Sequence, residues 1–438
     1  MHKDKAYKWL SYIFYLYPLF LILGSSVNNF FQIVICLFSI YIILKKEVII
    51  SKDQRIIFTL VILLFFYSFL VTLYNGNYFF LKNTLIFIKI VFFCIVIDFL
   101  ISKKIFDLKK FIYTSSVILI IVIFDTFFQF FNGKNLIGFE IEPNNLVRLT
   151  SFFKDEYVVG GFIARIYLPI LIFFTFLIKN EKNKFWFFLL FSIIINISIF
   201  ITGERSSIII SILNFCLLFI FVKELRKQII YKLLFSIFIV AIILTISNPL
   251  KDRYIKSTIQ DTFKIFAKNE NKHTIYDSQY GALFLASLEI AKDNYLFGQG
   301  LRTYRIKSCK ENIKINIQNK ISKKTNHSEF ICSTHPHNYI LELMLDLGLI
   351  GLIIFIALIY LILKRLIFFK KNKNKSGLEK LCIIAFALHF LSIFWPINTH
   401  GSIFSSWNST FYLFNLSLFI SLSANNSINI LTNVNFKK

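Results

Sequence analysis

The sequence predicts an all-α fold, a polytopic membrane bundle of about twelve transmembrane helices with one large outward-facing loop, and three observations predict it. Of the 438 residues, 56% are hydrophobic and the mean hydropathy is +0.65, well above the roughly 45–50% apolar usage of soluble domains. Apolar runs of about 17–25 residues, each able to cross a hydrocarbon core of ~30 Å, recur along the chain, too many for one water-soluble core. Basic clusters separate these runs at alternate crossings. That pattern also accounts for the formal charge of +25. Lysines and arginines gathered between spans orient those spans, and no nucleic-acid partner is needed.

In order, the predicted spans are Leu10–Gly24, Phe30–Leu44, Ile56–Leu73, Leu85–Ile101, Phe111–Phe131, Val159–Ile178, Phe185–Ile201, Ser207–Val222, Ile229–Ile246, Tyr339–Leu363, Leu381–Trp395 and Phe404–Leu422. The basic clusters around Lys5, Lys46, Lys104, Lys182, Arg226, Lys370 and Lys437 fall on one side. The short loops of the other side hold Lys82, Lys134, Arg148, Lys154 and Arg205, an asymmetry of about five to one. The positive-inside rule makes the rich side cytoplasmic, with both termini inside. A cleaved signal peptide is the rival reading of the first run, because Gly24, Ser25 and Ser26 are small and follow a basic start and an apolar stretch. The even span count and the charge alternation work without cleavage. The chain thus divides into nine spans over 1–246, a large loop over 247–337, and three spans with a short cytoplasmic tail over 338–438.

The large loop is too long to be a simple connection, and its length signals function. A basic, polar half leads into an expected short helix over Tyr280–Ala291, then into a turn at Gly298–Gly300. Such a loop can lie against the membrane surface and roof a cavity. Of six cysteines, Cys36, Cys94, Cys216 and Cys382 fall in spans, whereas Cys309 and Cys332 share this loop on the oxidising side. A Cys309–Cys332 disulfide is the favoured reading, with two free thiols as its alternative. No CxxC pair accompanies them, and no metal site is expected.

Three segments could carry chemistry. In Thr334-His335-Pro336-His337-Asn338 two histidines precede an apolar run containing Glu342, Asp346, Gly348 and Gly351. Asn338 is a good N-cap, so His337 should sit at the outer mouth of a span, where the helix dipole disfavours imidazolium and a neutral ring can accept a proton. The plain alternative is an interfacial histidine bonding the helix end. Thr202–Ser207 (TGERSS) is a very short outer turn that forces Arg205 near the membrane surface. A planar guanidinium there suits pyrophosphate oxygens, unless it pairs with Glu204 or a lipid headgroup. Asp293–Arg305 (DNYLFGQGLRTYR) places Arg302 and Arg305 after two glycines, in reach of the same cavity. A lone GxG is a weak signal, and no strand precedes it to make it dinucleotide-binding. Arg148 belongs to a fourth polar group in the smaller outer loop, with solvated-loop charge as the default. Lys89, Asp98, Asp125, Gln129, Arg165 and His389, inside spans, should face protein or snorkel, and Trp395, Pro396, His400 and Trp407 read as an interfacial aromatic cluster.

Together these segments resemble the O-antigen ligase and O-antigen polymerase superfamily, membrane glycosyltransferases of the GT-C type. TGERSS at Thr202–Ser207, NYLFGQGL at Asn294–Leu301 and HPHNYILELMLDLGLIG at His335–Gly351 carry the likeness, with weaker echoes at Asp125–Gly138 and Arg148–Gly160. The resemblance implies a bacterial inner-membrane enzyme with a periplasmic loop, needing neither metal nor cofactor. It implies that His337 activates an acceptor hydroxyl and that Arg205 holds the pyrophosphate of an undecaprenyl-pyrophosphate-linked glycan donor. The acceptor would be the lipid A core or another glycan, and membrane lipids would be the surroundings. His335, Arg148, Arg302 and Arg305 are the further substrate-binding candidates. Family members usually carry another arginine before the loop helix, where Tyr280 and Gly281 stand here, so Arg302 or Arg305 would have to substitute.

A ligase and a polymerase differ mainly in acceptor, and the histidine-led span favours ligase. A lipid-linked-sugar flippase or transporter should show repeats and broken midplane helices, and neither is visible in the sequence. A non-enzymatic assembly protein would leave His337 and Arg205 as incidental surface groups.

Overall fold

The structure is a computed structural model, described here for residues 2–48, 50–141, 148–260, 278–320, 331–371, 377–396, 399 and 401–424. Among the described residues the secondary structure is helical, with one isolated bridge between Lys134 and Glu140 and no strand. The chain is an all-α membrane protein. Its first half comprises α1 (His2–Tyr15), α2 (Tyr17–Ile22), α3 (Ser25–Leu44), α4 (Lys52–Tyr74), α5 (Leu85–Ser102), α6 (Leu108–Asn132), α7 (Val159–Ala164), α8 (Tyr167–Leu177), α9 (Glu181–Ile201), α10 (Arg205–Phe221) and α11 (Arg226–Ile246). The large loop contributes α12 (Asn248–Lys251), a π-helical turn over Asp252–Gln260, α13 (Gln279–Ala291), α14 (Thr303–Lys307) and α15 (Glu311–Gln318). Helices α16 (Tyr339–Lys371), α17 (Gly377–Ile393) and α18 (Ser406–Ala424) follow.

Among the described residues seven helices, α3, α4, α5, α6, α9, α11 and α16, are long and apolar enough to cross a membrane, and α8 and α10 are shorter apolar helices. The remaining predicted spans differ for physical reasons. The first is split at Leu16, where Pro18 can only enter at the start of a new helix. In α18 the small polar residues Ser409, Thr410, Asn415, Ser417 and Ser421 lower the hydropathy, and they are tolerated because residues 409–423 are buried against protein. Such residues let backbones approach: the Ser417 and Ser421 hydroxyls donate to the Ile90 and Cys94 carbonyls of α5, each at 3.4 Å. Opposite to this is α11, whose Leu233, Leu234, Phe235, Ile237 and Phe238 are exposed, an apolar outer face suited to lipid.

Ionisable groups within spans turn inward. Lys89 donates to Gln32 Oε1 at 2.7 Å, Gln54 donates to Asp98 at 2.7 Å, and His389 meets Asn214 at 3.5 Å. Asp125 and Gln129, one turn apart on α6, capture the following loop. Asp125 accepts from Leu136 N and Ser151 Oγ, and Gln129 Oε1 from the N–H groups of Thr150 and Ser151. This fixes the segment that carries Arg148.

The large loop folds as a small helical cap with its own core of Ala282, Leu283, Ala286, Ile290, Tyr304, Ile317 and Ile331, shared with Leu345 of α16. Ala282, Leu283, Ala286 and Ile290 put one apolar face of α13 inside this cap, while Tyr280 and Leu288 of the same helix are exposed. Cys309 and Cys332 are joined in a disulfide across a separation of 23 residues. The cap docks on α16 where that helix is interrupted at Gly348 (φ 66°, ψ −171°). There Gln299 N and Gly300 N donate to the Leu345 and Asp346 carbonyls, and Leu349 N donates to Tyr295 O at 2.9 Å. A Cβ on Gly348 would collide with the Leu296 carbonyl oxygen, and one on Gly298 would lie 2.5 Å from Gly348 N. Gly348→Ala is therefore expected to cost at least about 2 kcal/mol, since left-handed strain and a backbone clash add. Thermal unfolding measures this, and an unchanged midpoint would show that the docking turn is not tight.

Candidate active site

Residues from nearly every predicted outer connection converge on one cavity of about 710 Å³ at one end of the bundle. Its lining takes Ser25 from the start of α3, Arg148 and Glu156–Val158 from the smaller outer loop, Gly161 from α7, Arg165 from the α7–α8 junction, Glu204–Ser207 from the α9–α10 turn, Arg253 from the π turn, Tyr280 from α13, His337 before α16, and Thr399–Asn408 residues before and within α18. The sequence-predicted His337, Arg205 and Arg148 are thus brought together. Arg302, Arg305 and His335 are not among the lining residues.

His337 occupies the left-handed region at φ 57°, a conformation that histidine adopts more readily than most residues. Asn338 caps α16 by accepting from Leu341 N at 3.0 Å, and its amide donates to Pro396 O at 2.6 Å. The His335 ring packs 4.1 Å from that of His337, centroid to centroid, and Thr334 Oγ1 contacts its Nδ1 at 2.8 Å. Tyr280 approaches His337 edge-on at 6.0 Å. Glu342 is buried and accepts from Ser402 Oγ and Ile403 N, tying α16 to the turn before α18.

The α9–α10 turn is organised around Glu204. Its carboxylate accepts from Gly160 N at 2.6 Å, Gly161 N at 3.0 Å and Ser207 Oγ at 2.9 Å. Those bonds hold the first turn of α7, and the carboxylate makes no ion pair with Arg205 among the described residues. Arg148 stacks on Tyr157, its guanidinium carbon 4.4 Å from the ring centroid.

Arg253 is the residue that sequence reasoning missed. Its Nε donates to the Gly203 carbonyl at 2.6 Å, in the very turn that carries Arg205. The next residue locks the π turn in place, with Tyr254 Oη donating to Phe200 O and its ring stacked on Phe200 at 4.5 Å. Burial first, then the nearby guanidiniums of Arg205 and Arg148, hold Arg253 below the ordinary arginine range. One signal could have found it. The chain has forty lysines and nine arginines, yet among the described residues the lysine and arginine positions of the cavity wall are all arginine: Arg148, Arg165, Arg205 and Arg253. Charge placed for topology alone would follow the lysine-rich composition, whereas planar forks suit phosphate.

Arg302 and Arg305 lie elsewhere because Asp346 accepts from Arg302 N at 2.9 Å and Thr303 N at 3.2 Å, starting α14 against α16. The Arg302 guanidinium carbon then sits 6.0 Å from the Phe404 centroid. Trp407 also departs from an interfacial role. Its Nε1 donates to Leu21 O and its ring packs on Phe411 at 4.7 Å, in the cavity wall. His400 of the same predicted cluster lies outside the described residues.

The fold and this cavity define a polytopic α-helical membrane protein with a histidine and a group of arginines gathered at one end of its bundle. The O-antigen ligase (Wzy_C) family model matches residues 186–356, a stretch that contains Arg205, Arg253, Tyr280 and His337. A protein of Rickettsia conorii named, provisionally, as a polysaccharide ligase is 48% identical over 50 residues. That match covers 11% of this chain and 12% of the relative's length.

Proposed function

We propose that this protein is an O-antigen ligase-like glycosyltransferase, moving a glycan from undecaprenyl pyrophosphate to an acceptor hydroxyl of the lipid A core at the periplasmic face of a bacterial inner membrane. The observation that carries the reading is one cavity shared by His337, Arg205, Arg253 and Arg148 in a chain with an O-antigen ligase domain. His337 takes the proton of the acceptor hydroxyl as its oxygen bonds to the anomeric carbon. The bond from that carbon to the pyrophosphate oxygen breaks, and the electron pair leaves with the lipid pyrophosphate, whose growing charge Arg205 and Arg253 stabilise. A single displacement of this kind inverts the anomeric centre. Activation resides in the donor, so the residues need only orient, accept one proton and hold charge.

The π turn offers an answer to the arginine expected near Tyr280. Arg253, bonded to the Arg205 turn, supplies the second half of the clamp, while Tyr280 takes the expected position beside His337. Arg148, on its tyrosine, is suited to the glycan or the outer phosphate.

The test is deletion in the host and complementation with the wild-type chain, following lipid-linked glycan and lipopolysaccharide. Accumulated undecaprenyl-linked polymer with bare lipid A core, reversed on complementation, is the expected result. Lipopolysaccharide bearing only single repeats would replace ligation by polymerisation, and unaltered glycans would overturn the reading.

A further inference from the structure

The apolar run Val159–Ile178 is interrupted at Arg165 and Ile166, which separate α7 from α8. Beyond this one arginine, the run reads in sequence as a single continuous span. Non-helical backbone within such a run is tolerated where it is buried in protein or lines a cavity, and here the Ala164 carbonyl freed by the break accepts from Asn214 Nδ2 at 3.3 Å. Arg165 itself is 7% exposed and lines the cavity. Its guanidinium carbon lies 5.5 Å from the Trp407 ring centroid and 5.4 Å from that of Phe411. Among the described residues its side chain makes no hydrogen bond or ion pair. Of the two carboxylates among the described lining residues, Glu204 is already occupied by Gly160, Gly161 and Ser207, and Glu156 is exposed.

A guanidinium carries five N–H donors and stays charged, so burying it without an acceptor is costly. Aromatic faces offset part of that cost but accept no in-plane hydrogen bond. A lipid-borne anion entering the cavity at the head of α8 would supply that acceptor. We propose that Arg165 is a direct ligand of phosphate oxygens in the lipid-linked pyrophosphate, a third cation beyond Arg205 and Arg253. This rests on the glycosyltransferase reading above. The shared chemistry is an anionic lipid phosphate, and two sources present it: the polyprenyl donor and a phospholipid headgroup. The all-arginine wall favours the pyrophosphate, whose several oxygens can engage several forks at once.

The test uses the full chain in detergent micelles, with glycan-free undecaprenyl pyrophosphate and phosphatidylglycerol as probes and thermal unfolding as the readout. The wild type should be stabilised by the pyrophosphate and not by phosphatidylglycerol. Arg165→Gln should melt at or above the wild-type temperature without ligand, because it removes an unsatisfied buried charge, and should bind undecaprenyl pyrophosphate at least tenfold more weakly. Arg165→Lys, keeping charge without the fork, should fall between. An Arg165→Gln protein that melts lower or fails to assemble would make the cation structural and overturn the proposal. So would unchanged pyrophosphate binding by Arg165→Gln while Arg205→Ala loses it, which leaves the glycosyltransferase reading standing. Stabilisation of the wild type by phosphatidylglycerol, lost in Arg165→Gln, would turn the site into a phospholipid site. A wild type indifferent to undecaprenyl pyrophosphate would remove both proposals together.

Discussion

His337→Asn should lower glycan transfer by at least about 10²-fold, the low end of what a positioned general base contributes, while leaving donor binding and thermal stability near wild type. Asparagine is the informative replacement because the backbone at this position has φ 57°, and asparagine tolerates that conformation better than alanine or glutamine. A loss of activity then reports the missing imidazole rather than backbone strain. The N-cap from Asn338 is untouched, so α16 should still begin where it does. Transfer measured with purified protein and lipid-linked donor decides it, and activity within a factor of about three of wild type would remove His337 from the chemistry.

A comparable loss, about 10²–10³-fold, is expected for Arg253→Gln, the range found when one donor to a developing oxyanion is removed. Arg253 is held through Nε to Gly203, two residues from Arg205, so both guanidiniums are carried by one local structure. Arg253→Lys should recover only part of the rate, since an ammonium restores charge but not the bidentate fork or the bond to Gly203. The split between the variants is the diagnostic. If lysine and glutamine behave alike, charge at this position is not used; if both retain wild-type transfer, the clamp is made elsewhere.

How far these features were legible depends on how local their causes are. Spans announce themselves because each is a contiguous apolar run, and α3, α4, α5, α6 and α9 sit where hydropathy puts them. Arg205 and His337 were readable because a six-residue turn and a helix start confine them to one end of the bundle. The break between α7 and α8 was not, since only Arg165 interrupts an otherwise continuous apolar run, and its compensation by Asn214 lies 50 residues on. Arg253 was hidden for the same reason, its anchor at Gly203 being 50 residues earlier. For Arg302 and Arg305, spacing after the glycines pointed to the cavity, but the capping carboxylate of Asp346, 44 residues away, redirects the chain. Glu204 was a plausible ion-pair partner for its neighbour until the α7 amides claimed it.

The Cys309–Cys332 bridge places a covalent tie three residues ahead of His335. Preparing this protein is consequently a redox problem as much as a detergent problem. A production strain lacking extracytoplasmic thiol oxidation should still insert the helices, because their burial does not involve these two sulfurs. It would leave the histidine segment held by side-chain contacts alone, and dithiothreitol in a purification buffer would do the same to a correctly made sample. Preparations of normal helical content but erratic turnover should be checked for their thiol titre first.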